Sequence, residues 1–462
     1  MQVHQNIDIL DPVVLQDIVS GELRMTPQQA MRLYHEMPLL ELGRWADARC
    51  RALHGDHLRT YVIDRNINYT NVCTAKCTFC AFRRDGDEDD AYTLTYEELL
   101  QKVQEISDIG GTQILMQGGM NPDLPLDWYI ELLSKIRDEY PHIHVHAFSP
   151  PEVIEFVNFF DTPGNTLRER VRWVLCQLKD AGLMSLPGGG GEIFAHAVRE
   201  KIGLGKCTAE AWLTVMYTAQ ELGMNTSATM MFGHIEGVAD RIHHMELVRQ
   251  WQDKAINDFG LDGGGRYVAF ISWPFQPDNT PLGRVKEWTQ AEGDDEFPGD
   301  VVARLDGSGL KRDHPEFGRR IRLVGSSSYL RTQALSRLYL DNIYSIGSSW
   351  VTMGPAIGQT ALFYGANDMG SVMMEENVVS AAGTTWCLDE AKLCQLIRDA
   401  GFIPAQRNNT YDILKMHDDE NAPDRLVTDW SALNQDKLLA QTDGCSSGHK
   451  SVSASITLTV NR

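Results

Sequence analysis

Asn68-Tyr-Thr-Asn-Val-Cys73-Thr-Ala-Lys-Cys77-Thr-Phe-Cys80-Ala-Phe82 carries three cysteines on one short stretch, spaced C-x3-C-x2-C. Three thiolates so placed can hold three irons of a cubane iron–sulfur cluster. The fourth iron is then open to a small molecule, which can receive an electron there. A structural zinc or iron–sulfur site normally supplies four protein ligands. No His lies between Cys73 and Cys80, and the next cysteine downstream is Cys176. A zinc site or a chance cluster is the alternative, and it lacks a nearby fourth ligand.

Around this stretch, short apolar runs alternate with amphipathic helical patterns. The spacing predicts strands at 67–70, 113–117, 142–148, 184–186, 227–232, 267–273, 345–351 and 370–374. Helices are expected at 96–109, 127–139, 167–181, 209–222, 238–255, 327–341, 355–364 and 388–400. The first is the clearest: Tyr96, Leu99, Leu100, Val103 and Ile106 share one face, and Thr95 with Glu98 forms a capping box. Eight strand–helix units in order predict an α/β fold, a parallel (β/α)8 TIM-type barrel. Six units with two extra elements, an open partial barrel, is the competing arrangement. Residues 1–60 read as an N-terminal helical extension and 61–411 as the barrel. Residues 284–324 form an acidic insertion, and 412–462 a polar C-terminal extension in which 452–460 alternate like an edge strand.

Of the 462 residues, 43% are hydrophobic and 23% charged, as in a globular protein. The net charge of −21 argues against a nucleic-acid or anionic-membrane surface. No apolar run approaches a membrane span, and the N-terminus lacks a signal-peptide pattern. Nine scattered cysteines fit a reducing cytoplasm.

Barrel enzymes place reactive groups on loops at the C-terminal ends of their strands, and the cysteine loop follows the first strand. Gly118 and Gly119 end the second, where small residues allow close backbone approach to a ligand. His142, His144 and His146 share one face of the third strand, and Ser149 follows it. A metal site and a packed, hydrogen-bonded lining both fit these imidazoles. Gly188–Gly191 and Glu192 follow the fourth strand. His234 and Glu236 follow the fifth. Trp273 and Phe275 can wall a pocket after the sixth. Asp368 and Glu375 flank the eighth, where carboxylates can accept protons.

The cysteine loop with Phe79, the Gly-Gly after the second strand and the glycine-rich turns resemble the radical S-adenosylmethionine superfamily. Residues 61–151, 182–236 and 325–411 resemble its branch of futalosine-pathway menaquinone enzymes and deazaflavin enzymes. The stretches Asn66–Asn71, Ile114–Gly119, Trp273–Pro277, Ser349–Pro355, Gly365–Asp368 and Met373–Val378 carry this likeness. The resemblance implies a [4Fe-4S] cluster on Cys73, Cys77 and Cys80, with S-adenosylmethionine chelating the open iron. It implies Phe79 near adenine and Gly118 and Gly119 at the methionine amino group. Ser149, Glu192 and His234 are implied to contact ribose or substrate. It further implies a 5′-deoxyadenosyl radical that takes hydrogen from C4′ of a nucleoside-derived substrate, followed by closure onto a benzoate ring. Glu375, Asp368 and His146 are candidates for the base that accepts the aromatic proton. An electron donor such as flavodoxin or ferredoxin is implied as partner. Sibling reactions on other substrates and a non-catalytic iron–sulfur protein remain the alternatives.

Overall fold

The protein is described by a computed structural model covering residues 8–284 and 323–431. Strands β1 (Leu58–Val62) and β2 (Asp64–Ile67) are separated only by Ile63. Then follow β3 (Gln113–Met116), β4 (His144–Ala147), β5 (Ser185–Leu186), β6 (Asn225–Phe232), β7 (Tyr267–Pro274), β8 (Ser345–Gly347) and β9 (Asp368–Ser371). From β2 to β9 each strand pairs in parallel with the next. Strand β1 pairs in parallel with β9. Because β1 and β2 are one segment, pairing with β9 along one edge and β3 along the other closes the ring into an eight-stranded barrel.

The strands alternate as a barrel requires. Asp64 and Asn66 face inward, whereas Arg65 reaches out to Glu105 on the helix Tyr96–Asp108. That helix forms for the reasons legible in its sequence. Thr95 accepts from the Glu98 amide, Glu98 accepts from the Thr95 amide, and Leu99, Val103 and Ile106 are buried. Each such burial contributes about 1.5–3 kcal/mol.

Helices Pro12–Ser20, Pro27–Glu36 and Leu39–His54 precede β1, which already begins at Leu58. They pack on helices Val238–Phe259 and Ser326–Tyr339 outside the barrel. Arg24 fastens them, 2.6 Å from Asp253 and 2.7 Å from Asp341.

The first predicted strand, 67–70, lies too late. The pairing strand ends at Ile67, and Asn68–Thr70 already lead into the cysteine loop. The run 345–351 is strand only to Gly347, and a short helix starts at Trp350. Two strands were not foreseen. Strand β10 (Ile403–Arg407) pairs in parallel with β1, and β11 (Ile413–Met416) pairs antiparallel with β10. Strand β11 is exposed along its whole length, so it shows no inward-facing apolar pattern. The expected boundary at 411 falls inside this hairpin. Most of the acidic insertion and the alternating run 452–460 lie outside the described residues.

Candidate active site

The barrel has a floor at the strand N-termini and a mouth at their C-termini. The cysteine loop lies across the mouth. It is held by backbone bonds to two neighbours: Thr74 N donates to Met120 O at 3.0 Å, Lys76 N to Leu204 O at 2.8 Å, and Thr78 N to Ile202 O at 2.9 Å. Ala75, Cys77 and Met120 are buried together, with Cys73, Phe79 and Cys80 packed against them. Burial pushes the Cys77 thiol up to about 12 and raises Cys73 as well. Thiolates in this place therefore call for a bound metal to remain deprotonated.

Among the described residues, no three His, Cys, Asp or Glu side chains converge as ligands of one ion. A single zinc needs its sulfurs about 2.3 Å away. Three cysteines on one loop, each serving a separate iron, suit a cubane instead. Cys73, Cys77 and Cys80 would hold it.

Gly118 and Gly119 abut this loop, and packing alone requires both to be glycine. A Cβ on Gly118 would stand 2.5 Å from the Tyr69 ring, and one on Gly119 would stand 2.1 Å from Val72 O. Their amides are engaged, Gly118 N with Glu152 Oε1 at 3.1 Å and Gly119 N with Thr70 O at 2.8 Å. A ligand amine at this turn would therefore meet carbonyls.

Glu192 lies beside the loop, in the left-handed region at φ 37°. Its Oε1 is 2.8 Å from Lys206 Nζ, and Lys206 stands 4.9 Å over the Phe79 ring. Burial acts to lower the Lys206 pKa, but Glu192, together with Cys77 when its sulfur is ionised, more than offsets it. Glu192 Oε2 is buried with no hydrogen-bond partner, and Arg199 Nη1 stands 3.8 Å from it. Glu192, Lys206, Phe79 and the cysteines thus come together.

Several other expected residues do not join them. His234 is fully buried: its Nδ1 accepts from Ile235 N at 2.8 Å, and Nε2 lies 3.1 Å from Met231 O, so neither nitrogen is left for ribose. Phe275 packs edge-on to His234 in the core rather than roofing a pocket. Ser149 caps the helix Pro150–Phe159 and gives its hydroxyl to Glu152 Oε2 at 2.5 Å.

Glu152 is the residue the sequence reading passed over. Fully buried, it also accepts from Tyr69 Oη at 2.6 Å and Ser149 N at 2.7 Å. It ties the cysteine segment to the Gly118 turn. The signal was present as a second capping box, Ser149 with Glu152, on a Pro-Pro helix start.

Of the three candidate bases, Glu375 stands apart, whereas Asp368 and His146 both lie near Arg407. Asp368 opens β9 and so lies at the floor, far from the strand end that the sequence reading required. Its two oxygens take the Arg407 fork at 2.6 and 2.9 Å, so both are engaged by one cation. Glu375 points out of the barrel to Arg65 at 2.6 Å and Lys102 at 2.9 Å. Burial alone would raise its pKa, but these two cations more than offset that and lower it. His146 lies on the inward face of β4, only partly buried. Burial, with help from His144 and Arg407, lowers it to about 3, so it is a neutral imidazole at physiological pH.

Sequence comparison places the chain in a family. Residues 67–248 match the radical SAM superfamily, and 315–420 match the CofH/MqnC C-terminal region. The chain is 39% identical over 412 residues to a cyclic dehypoxanthine futalosine synthase of Halalkalibacterium halodurans, covering 89% of this chain and 97% of that protein. The chain belongs to the radical SAM superfamily. It is also 35% identical over 404 residues to a 5-amino-6-(D-ribitylamino)uracil–L-tyrosine 4-hydroxyphenyl transferase of Methanopyrus kandleri, covering 87% of this chain and 92% of that one. HydG, a maturase of the [FeFe]-hydrogenase, superposes with a TM-score of 0.58 at 14% identity over 86% of this chain and 76% of its own, a likeness of fold. The radical SAM family uses a [4Fe-4S] cluster and S-adenosylmethionine, and the three-cysteine loop fits that pair. This radical SAM enzyme is of the futalosine and deazaflavin branch. Among its described residues no helix is long and apolar enough to cross a membrane.

Proposed function

We propose that this enzyme converts dehypoxanthine futalosine to its cyclic product, as a step toward menaquinone. The likeness to a cyclic dehypoxanthine futalosine synthase, continuous across nearly the whole chain, carries this reading. When bound, the cluster and S-adenosylmethionine supply a 5′-deoxyadenosyl radical and take back one electron at the end. Cys73, Cys77 and Cys80 would hold the cluster, and Phe79 and Glu192 beside them would contact the nucleoside or amino-acid part of the bound cofactor.

The substrate lies in the lumen below. With the cofactor bound, C4′–H would be the bond given up, its hydrogen leaving with the released deoxyadenosine. The C4′ radical bonds to the benzoate ring, and the ring then loses one proton and one electron to regain aromaticity. His146 takes that proton. Of the three candidates it alone is both inward-facing and free of an ion pair. Trp273, half-buried at the end of β7, helps keep water from the radical. A flavodoxin- or ferredoxin-type donor delivers the initial electron.

The test is anaerobic turnover of reconstituted protein with S-adenosylmethionine, dithionite and dehypoxanthine futalosine. Cyclised product with release of deoxyadenosine supports the reading. Turnover only with tyrosine and 5-amino-6-(D-ribitylamino)uracil assigns the enzyme to the transferase reaction, which the Methanopyrus likeness keeps as the second reading. No deoxyadenosine with any substrate makes it a binding protein.

A further inference from the structure

A chain of hydrogen bonds runs inside the barrel from Ser371, the last residue of β9, and its polarity can be read from that end. Asp64, an inward-facing carboxylate on β2, accepts from Ser371 Oγ and, at 2.7 Å, from Gln113 Nε2. The Ser371 hydroxyl can give its proton there because it already accepts from Met373 N at 2.7 Å. With its amino group on Asp64, Gln113 turns Oε1 to Asn409, whose Nδ2 donates at 3.1 Å. The Asn409 amide is thereby oriented too, and its Oδ1 faces Ser185 Oγ at 3.3 Å. Asn409 Oδ1 can only accept, so a hydrogen bond across this contact takes the one proton of Ser185.

Two imidazoles converge on the same hydroxyl, His144 Nε2 at 2.7 Å and His146 Nδ1 at 2.6 Å. With its proton spent, Ser185 can only accept from both. His146 is then the Nδ1–H tautomer, and its Nε2 carries a lone pair. Among the described residues, Nε2 takes no hydrogen bond, and it is not among the buried unpaired atoms, so it opens to the lumen.

We propose that Asn409, brought under the barrel by the β10–β11 hairpin, is a positioning residue that fixes the tautomer of His146 and so presents Nε2 as the acceptor of the substrate's proton. Asn409 touches neither substrate nor cofactor in this scheme. It acts through Ser185, as the orienting member of a triad acts through its base. The tautomer follows from these hydrogen bonds alone. Only the identity of the proton rests on the ring closure proposed above.

The experiment uses the full chain labelled with 15N-histidine, with long-range proton–nitrogen correlations assigned by a His146→Gln variant. Wild type is expected to show His146 protonated at Nδ1 and bare at Nε2. Asn409→Leu removes the acceptor and frees the Ser185 proton, and Ser185→Ala removes the hydroxyl itself. At least one of them is expected to show mixed tautomers at His146. The same variants in the cluster-loaded enzyme should lose tenfold or more in kcat, with KM changing less. The tenfold floor is set below the roughly 10²–10⁴-fold contributed by a positioned acid–base group, because the base itself is retained. A wild-type His146 protonated at Nε2 overturns the proposal, as does a tautomer unchanged in both variants. The predicted tautomers in a protein that makes no cyclised product would leave Asn409 its role and remove the reaction assigned to this site.

Discussion

Replacing Gly119 with Ala tests whether the turn after β3 shapes the cysteine loop. The added Cβ would lie 2.1 Å from Val72 O, 2.7 Å from Val72 C and 3.0 Å from Cys73 Cβ. Carbon normally approaches such atoms no closer than about 3.5 Å, so the backbone next to Cys73 must retreat by more than about 1 Å. It cannot swing freely, because Cys73 N donates to Arg84 O at 3.1 Å and Thr74 N to Met120 O at 3.0 Å. Overpacking of this kind costs about 1–3 kcal/mol. A displacement of that size also exceeds the roughly ±0.2 Å tolerance of a metal–ligand bond. Gly119→Ala is therefore expected to fold with a modestly lowered melting temperature and to lose most of its cluster. Iron and sulfide per chain after anoxic reconstitution, with the spin signal of the reduced cluster, measure this. Gly325→Ala is the control, since a Cβ there meets nothing within 4 Å. Full iron content and an unaltered signal in Gly119→Ala would refute the reasoning.

Glu152→Gln keeps the shape but turns an amide toward groups that all donate, namely Tyr69 Oη, Gly118 N, Ser149 N and Ser149 Oγ. It should cost about 1–3 kcal/mol in urea unfolding of the cluster-free protein, and an unchanged midpoint would contradict the tie described here. Acid should also weaken the fold. Burial holds His144 at about 4 and His146 and His54 at about 3. Their unfolded values are near 6.5, so the unfolded chain binds more protons as pH falls below ~6.5. Each group then removes up to about 1.4 kcal/mol per pH unit until its folded value is reached. Unfolding midpoints at several pH values should show this slope, and His54→Gln should flatten it.

The barrel was legible because its signals are local. The eight strand–helix units announce themselves through period and capping, and the three cysteines through spacing. What failed was what depends on register and on distant partners. Asp368 looks like a mouth residue until β9 is seen to begin there, which places it on the floor with Arg407. Glu375 and Glu376 are neighbours in sequence, yet one turns out to Arg65 and Lys102 while the other accepts from Asn66 on β2. No periodicity distinguishes them. Gly118 and Gly119 read in sequence as a place of close backbone approach, and the neighbours that also demand glycine there, Tyr69 and Val72, show only in three dimensions. Asn409 was invisible because nothing local shows that its loop returns beneath a strand some 300 residues earlier.

Closure of the ring depends on Thr60 meeting Asp368, two positions 308 residues apart. During synthesis, the segment 58–67 must wait with one edge unsatisfied until nearly all of the chain has left the ribosome. Such long-range pairing slows folding and exposes the half-built sheet to association with other chains. A low temperature during expression, or a chaperone that shelters that edge, should raise the yield of folded protein more than any change in the cysteine loop.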